Sequence, residues 1–209
     1  MNIAAPISFA SAGDHEELER AELYGLLARL WLAPPDEALM QQFRVAVTQA
    51  PEAGALLEAP WQHLVQALRS TTVKAAAAEH EALFHGVGKP EVFAYGSYYL
   101  SGFLNEKPLA SLRHDLAALG LTRDANSLET EDHIAYLLEV MRYLIAGDDI
   151  AVCNLEQQRR FFRTHLQTWV TALCDAVAAQ PRAVTWAAVA AFTREFMAVE
   201  TQAFDMLET

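Results

Sequence analysis

Cysteine and long apolar runs are both scarce in this chain, and each shortage excludes a class of protein. Only two cysteines occur, Cys153 and Cys174, far apart and outside any C-x-x-C pair. A disulfide framework and a zinc knuckle are therefore both unsupported. No apolar stretch is long enough to span a bilayer, and residues 1–11 lack the Lys or Arg of a secretory signal. We expect a soluble cytoplasmic protein with no stable membrane insertion.

Basic residues are also few, which bears on the choice of partner. The chain has 15 Lys and Arg against 27 Asp and Glu, a formal net charge of −12. Nucleic acid is excluded as an expected partner, because its binding relies on cationic side chains that neutralise phosphates. The acidic surface either serves solubility alone or attracts a cationic ligand. With 53% hydrophobic residues in 209, we expect one globular domain over 1–209, with residues 1–13 as a candidate disordered end.

Apolar residues recur at helical spacing throughout the chain, and no segment shows convincing strand-like alternation. The pattern predicts an all-α fold of roughly eight or nine helices. Asp14 with Glu17 resembles a capping box at the first helix, and Asp36 is placed to cap the second. The expected segments run from Asp14 to Pro34, Asp36 to Pro51, Pro60 to Phe84, Pro108 to Gly120, Thr130 to Gly147, Ile150 to Ala179 with a break near Thr164–Trp169, and Val184 to about Leu207.

An acidic motif stands where one of these helices is expected to begin. Glu129, Glu131 and Asp132 place three carboxylates directly before His133. Carboxylates at a helix start are stabilised by the helix dipole and by the free N–H groups of the first turn, which is a purely structural interpretation. The alternative is an acidic recess that binds a guanidinium, since carboxylates match its geometry bidentately.

An aromatic cluster precedes the acidic motif in the chain. Tyr95, Tyr98 and Tyr99 enclose the small residues Gly96 and Ser97. Tyrosines combine apolar area with a hydroxyl, a mixture found on peptide-binding surfaces. The same side chains are equally suited to covering the edge of a core, and composition alone favours that interpretation.

Two further patterns are less informative. Phe162, Leu166 and Trp169 share one helical face with His165 nearby, and such a stripe is typical of a core. His80 and His85 resemble a zinc-protease helix, but that motif needs histidines four residues apart, and these are five apart. We expect no metal and no cofactor.

The order of these motifs resembles the TorD/DmsD/NarJ family of molybdoenzyme chaperones. The residues that carry the resemblance are Leu83-Phe84-x-Gly86, Tyr95-Gly96-Ser97-x-Tyr99-Leu100, Glu129-x-x-Asp132-His133 and His165-Leu166-x-x-Trp169. The third is similar to the family's E-P-x-D-H signature, with Thr130 in place of the proline. The likeness is strongest between Glu79 and Trp169.

The resemblance implies a helical chaperone and not an enzyme. Its partners would be the twin-arginine leader and the apo catalytic subunit of a molybdopterin oxidoreductase, whose export it delays until the cofactor is inserted. The implied peptide-binding residues are Tyr95, Gly96, Ser97, Tyr99, Glu129, Asp132, His133, His165 and Trp169. Such a protein would be a monomer or a domain-swapped dimer. Two alternatives remain open: a small hydrolase that uses Asp132 and His133 as an acid–base pair, and a helical scaffold whose acidic patch serves only solvation.

Overall fold

The helical periodicity of the sequence corresponds to ten α-helices in the part of the chain that the computed structural model describes. The structure describes residues 12–48, 56–86, 88–124 and 127–206. The helices are α1 (Ala12–Leu32), α2 (Glu37–Val45), α3 (Glu58–Arg69), α4 (Val73–Phe84), α5 (Gly96–Ser101), α6 (Lys107–Ala118), α7 (Ile134–Ala146), α8 (Leu155–His165), α9 (Val170–Ala178) and α10 (Thr185–Met206). Within the described ranges no strand forms, so the all-α prediction is confirmed.

The helix count exceeds the expected eight or nine for two reasons. The single helix predicted from Pro60 to Phe84 was wrong, because α3 ends at Arg69 and α4 begins at Val73. Between them the Thr72 hydroxyl accepts the N–H of Ala75 at 3.2 Å and caps a new helix. Such side-chain to backbone bonds compete with helix continuation. The second addition is the short helix α5, which was not predicted.

Several helix ends agree with the sequence, and others do not. Asp36 caps α2 as predicted, since its Oδ1 accepts the N–H of Leu39 at 2.7 Å. The break between α8 and α9 was also predicted. The capping box at Asp14 was wrong, because α1 already begins at Ala12. The second helix was predicted to run to Pro51, but α2 already ends at Val45. The predicted end at Leu207, like residues 1–11 of the candidate disordered end, lies outside the described residues.

The core forms where α1 packs along α7 and where α10 packs against α3 and α9. Tyr24 and Trp31 of α1 are buried against α10. Their polar atoms bond across the interface, the Tyr24 hydroxyl to Glu200 at 2.7 Å and the Trp31 Nε1 to Thr193 Oγ1 at 3.0 Å. Buried aromatic side chains with satisfied polar atoms fix how α1 lies on α10. None of the described helices has both the length and the hydropathy of a membrane span.

A carboxylate from another helix caps the N-terminus of α10. Glu79 of α4 accepts the backbone N–H groups of Val184 at 2.8 Å, Thr185 at 3.1 Å and Trp186 at 2.8 Å. These are three of the donors that a helix start leaves without an intrahelical partner. The contact therefore fixes the position of α4 relative to the long C-terminal helix.

Candidate functional site

A short backbone bridge brings the aromatic cluster and the acidic motif together. Tyr95 and His133 form an isolated antiparallel bridge. The N–H of Gly96 donates to the carbonyl of Asp132 at 2.9 Å, and the N–H of Ile134 donates to that of Ala94 at 2.9 Å. Two segments separated by more than thirty residues thus lie side by side at the starts of α5 and α7.

Asp132 is the buried centre of this junction, with only 3% of its surface exposed. Its Oδ2 accepts the N–H of Ser97 at 2.9 Å, and its Oδ1 accepts the Thr130 hydroxyl at 2.6 Å. The N-cap residue Tyr95 makes no side-chain capping bond, so Asp132 caps α5 from across the bridge. Thr130, at the family's proline position, supports the carboxylate with its hydroxyl.

His133, and not the acidic motif, begins the next helix. The prediction of a helix starting near Thr130 was wrong by about one turn, since α7 starts at Ile134 with His133 as its N-cap. The Nδ1 of His133 accepts the N–H of Ala135 at 3.2 Å, so the neutral ring carries its proton on Nε2. Burial lowers the pKa of His133 to about 4, although Glu129 and Asp132 oppose that shift.

Glu129 is another carboxylate of the motif, and it lies near the surface, where it accepts a hydrogen bond from a tyrosine hydroxyl. The hydroxyl of Tyr95 donates to its Oε2, and both side chains are half-buried. Burial and the bond to Glu129 raise the pKa of Tyr95. The third carboxylate, Glu131, is engaged by Arg113, whose Nη2 lies 2.9 Å from it. The three carboxylates therefore have different environments that the sequence did not distinguish.

Trp169 closes the inner side of the site against α5. Its ring stacks on Tyr99 with centroids 5.5 Å apart, and its Nε1 donates to the carbonyl of His165 at 2.6 Å. A Cβ added to Gly96 would stand 3.1 Å from the Trp169 ring. The close approach of the indole leaves little room for a side chain at position 96. The core interpretation of the stripe is confirmed for Phe162, Leu166 and Trp169, which are all buried.

The imidazole of His165 faces away from this cluster. Its Nε2 lies 2.9 Å from Oδ2 of Asp115 on α6, and both residues line a separate cavity of about 70 Å³ with Arg160. Burial lowers the pKa of His165, while the bond to Asp115 acts in the opposite sense. The backbone carbonyl of His165 is what accepts the hydrogen bond of Trp169.

Sequence reasoning missed residues on and near α1 and α4 that share a cavity with the predicted site. This narrow cavity of about 10 Å³ is lined by Tyr95, Glu129 and His133 together with Trp31, Leu32, His80, Phe84, His85 and Ala94. Among the described residues, no group of three or more His, Cys, Asp or Glu side chains is arranged to hold a metal ion. The only signal in the sequence was the presence of His80 and His85, whose spacing gave no reason to join them to His133.

Comparison with known proteins supports the family resemblance that the order of the motifs indicated. A family model described as "Nitrate reductase delta subunit" matches residues 50–175. Two curated relatives, from the Classical Ogawa 395 and El Tor Inaba N16961 strains of Vibrio cholerae serotype O1, are both named "Chaperone protein TorD". Each is 29% identical over 173 residues, which cover 75% of this chain and 79% of the relative. The matched span includes the whole bridge with Tyr95, Asp132, His133 and Trp169, and the chain belongs to the nitrate reductase delta subunit family, that of the TorD/DmsD/NarJ chaperones.

Proposed function

We propose that this protein is a cytoplasmic molybdoenzyme chaperone that binds the twin-arginine leader and apo form of a client oxidoreductase. It would delay export until the cofactor is inserted, and it would catalyse no reaction itself. The observation that carries the proposal is the Tyr95–Glu129 pair at the start of α5, together with exposed apolar side chains at the end of that helix. Family membership and the chaperone names of the relatives support it.

Glu129 is the proposed acceptor for the cationic part of the leader. Its Oε2 takes the Tyr95 hydroxyl, and among the described residues no side chain donates to its Oε1. A half-buried carboxylate binds a guanidinium more strongly than an exposed one, because the surrounding medium screens the charges less. A net charge of −12 also attracts a cationic leader over longer distances.

The apolar patch lies at the end of α5 and in the turn after it, and we propose that it binds the leader's apolar stretch. Leu100, Phe103 and Leu104 are 45%, 71% and 40% exposed. Apolar side chains that cluster in this way on a soluble protein mark interaction surfaces. Gly102 and Asn105, both with positive φ, shape the turn that presents them.

The buried members of the predicted site have a supporting role in this proposal. Asp132 caps α5, His133 caps α7, and Trp169 packs against Gly96 and Tyr99. Together they hold the Tyr95–Glu129 pair and the apolar patch in a fixed relation. Such preorganisation lowers the entropy that binding a peptide would otherwise cost.

The geometry favours neither alternative function. The hydrogen bonds of Asp132 go to Ser97 and Thr130, and the Nδ1 of His133 is occupied by Ala135. An acid–base pair requires the two groups within hydrogen-bond reach of each other or of a substrate. A scaffold whose acidic patch serves only solvation would need no exposed apolar side chains at the end of α5.

Calorimetry with synthetic twin-arginine leaders of the molybdoenzymes in the same genome tests the proposal. We expect one leader to bind with a micromolar Kd, about −8 kcal/mol. Glu129→Gln should weaken binding roughly tenfold to a hundredfold, the equivalent of losing a charge-assisted bond. Glu16→Gln, an exposed carboxylate on α1, is the matched control.

A second pair of variants tests the apolar patch. Phe103→Ser should weaken binding of the same leader. Val45→Ser, on α2 and 80% exposed, should not. If the wild-type chain binds no leader from its own genome, the proposed function is wrong.

A further inference from the structure

A groove of about 500 Å³ lies along α1, away from the bridge between Tyr95 and His133. Residues of α1 line it together with Gln42 of α2, Trp61 of α3 and Arg142 of α7. It shares no lining residue with the narrow cavity described above. A cleft of this volume is in the range that binds ligands, so its chemistry indicates what it accepts.

Apolar side chains make up much of the groove. Leu23, Leu26 and the indole of Trp61 line it together, and all three are half-buried. A Cβ added to Gly25 would stand 2.8 Å from the Cδ of Arg142, so the apolar stem of Arg142 lies close against the backbone of α1. A cleft with apolar side chains of this kind is typical of an interaction surface.

Two charged side chains of the groove have no internal partner. Among the described residues, neither Glu22 nor Arg29 forms an ion pair or a side-chain hydrogen bond, and both are exposed. The other two charged residues in the lining, Glu139 and Arg142, pair with each other at 2.7 Å. Glu22 and Arg29 are seven residues apart on one face of α1, about 10 Å along its axis. A complementary partner therefore presents a cation and an anion at that separation.

Exposed leucines extend this face of α1 at both ends. Leu18 lies one turn before Glu22, and Leu32 lies about one turn after Arg29, so the spacings of four and three residues keep them on the same face. They are 52% and 45% exposed. Leu32 also lines the narrow cavity that contains Glu129. The face therefore continues from the groove to the proposed leader site.

We infer that this groove binds an amphipathic helix of the apo client, with a basic residue against Glu22 and an acidic residue against Arg29. Its apolar side chains pack on Leu23, Leu26 and Trp61. The inference rests on the proposed function and adds to it a second contact surface for the same client. Helices lie in grooves of this kind through apolar residues three, four and seven positions apart.

The charges also fix the direction of the bound helix. An acidic residue is favoured near the N-terminus of a helix and a basic residue near its C-terminus, because of the helix dipole. A helix that places its acidic residue against Arg29 and its basic residue against Glu22 then runs antiparallel to α1. The arginine pair of a leader offers no anion to Arg29, and like charges repel. The groove therefore selects a segment of the client other than the leader's arginines.

The test is calorimetry on the full chain with two probes, the leader peptide of a molybdoenzyme from the same genome and the whole apo catalytic subunit that carries it. We expect the wild type to bind the subunit at least about tenfold more tightly than the leader, because a second contact adds avidity. The double variant Glu22→Arg with Arg29→Glu keeps the net charge and reverses both ends of the groove. It should bind the subunit on the order of tenfold more weakly and the leader as the wild type does.

A second charge swap is the matched control. Glu19→Arg with Arg182→Glu changes two exposed residues outside the groove lining and also keeps the net charge. This variant should bind both probes as the wild type does. The urea midpoints of both double variants show whether they fold.

Photo-crosslinking identifies the occupant without reversing any charge. Benzoylphenylalanine in place of Gln42, an exposed residue of the groove lining, should attach to a subunit segment outside the leader. We expect that segment to carry an acidic residue about seven positions before a basic one. The same group in place of Gln41, exposed on α2 but outside the lining, should not attach there.

The outcomes separate the groove from the proposed function. If the Glu22/Arg29 swap folds and binds the subunit as tightly as the wild type, the groove is refuted while leader binding stands. Attachment at position 42 to the leader or to a second copy of the chain would also refute it. If the wild type binds the subunit but no leader, and the swap weakens that binding, the groove stands and leader binding falls. Failure of the wild type to bind either probe overturns both.

Discussion

The carboxylate of Asp132 accepts the backbone N–H of Ser97 at 2.9 Å, so a residue that precedes α7 caps the start of α5. Because Ser97 is 1% exposed, water cannot replace this acceptor. Asp132 thus acts on the placement of the aromatic cluster through Ser97, 35 positions earlier in the sequence.

Removing the carboxylate of Asp132 should destabilise the protein, and replacing it with an amide should destabilise the protein less. Asp132→Ala leaves the N–H of Ser97 buried without an acceptor, which costs roughly 1.5–3 kcal/mol. Asp132→Asn keeps an oxygen for Ser97 and should cost less. Urea denaturation measures both, with the exposed Asp148→Ala as control. If the two variants are equally destabilised, the cap is not what Asp132 contributes.

Leader affinity in the same variants separates positioning from direct contact. Asp132→Asn should bind the leader nearly as well as the wild type, since α5 stays in place. A large loss of affinity in a stable Asp132→Asn protein would mean that the negative charge itself contacts the peptide.

Gly96→Ala should destabilise the fold by steric overlap. Its new Cβ would lie 3.1 Å from the Trp169 ring, and overpacking of this kind costs about 1–3 kcal/mol. The better helix propensity of alanine offsets up to about 1 kcal/mol of that. Gly86→Ala is the control, because its Cβ would meet neighbours only at 3.6 Å or beyond. A Gly96→Ala melting temperature equal to that of the control would contradict the close approach of Trp169.

Stability should fall as the pH decreases from about 6.5 to about 4. Burial lowers the pKa of both His80 and His133 to about 4, so in this window the unfolded chain takes up protons that the folded chain refuses. The free energy of unfolding then drops by about 1.4 kcal/mol per pH unit for each histidine. The contribution is fully present above pH 6.5.

A single substitution isolates one of these histidines. His133→Asn keeps a side-chain acceptor at the helix start, since Asn is a preferred N-cap. It should lower the pH slope of the unfolding free energy by about 1.4 kcal/mol per unit. Urea titrations between pH 7.5 and 5 measure the slope. An unaltered slope in His133→Asn would show that its imidazole titrates normally in the fold.

Removing the side chain of α4 that caps the N-terminus of α10 should lower the stability of the fold measurably. Glu79→Ala removes the acceptor of three backbone N–H groups, at Val184, Thr185 and Trp186. N-cap losses cost about 0.5–2 kcal/mol. Glu81→Ala, exposed on the same helix, should change the urea midpoint little. Equal midpoints for the two variants would mean that α10 begins without help from α4.

Most of the helices could be predicted because the residues that begin and end a helix act on their near neighbours in sequence. Asp36 and the break after His165 are readable from neighbouring residues, since a cap or an interruption acts over three or four positions. The long helix over 60–84 was predicted wrongly, because Thr72 can continue a helix or cap a new one, and local sequence does not decide between them.

Helical periodicity by itself determined the all-α class, composition determined the net acidic charge, and the order of the motifs gave the resemblance to the family. The motifs also identified Tyr95, Glu129, Asp132 and Trp169 as candidate peptide-binding residues. The tertiary structure alone decided their different roles: Asp132 buried as a cap, Glu129 beside the surface with Tyr95, and the imidazole of His165 turned toward Asp115. It also brought His80 to the site. Spacing along a chain fixes contacts only within a helix, whereas burial, hydrogen-bond partners and pKa depend on segments that meet only when the whole chain has packed.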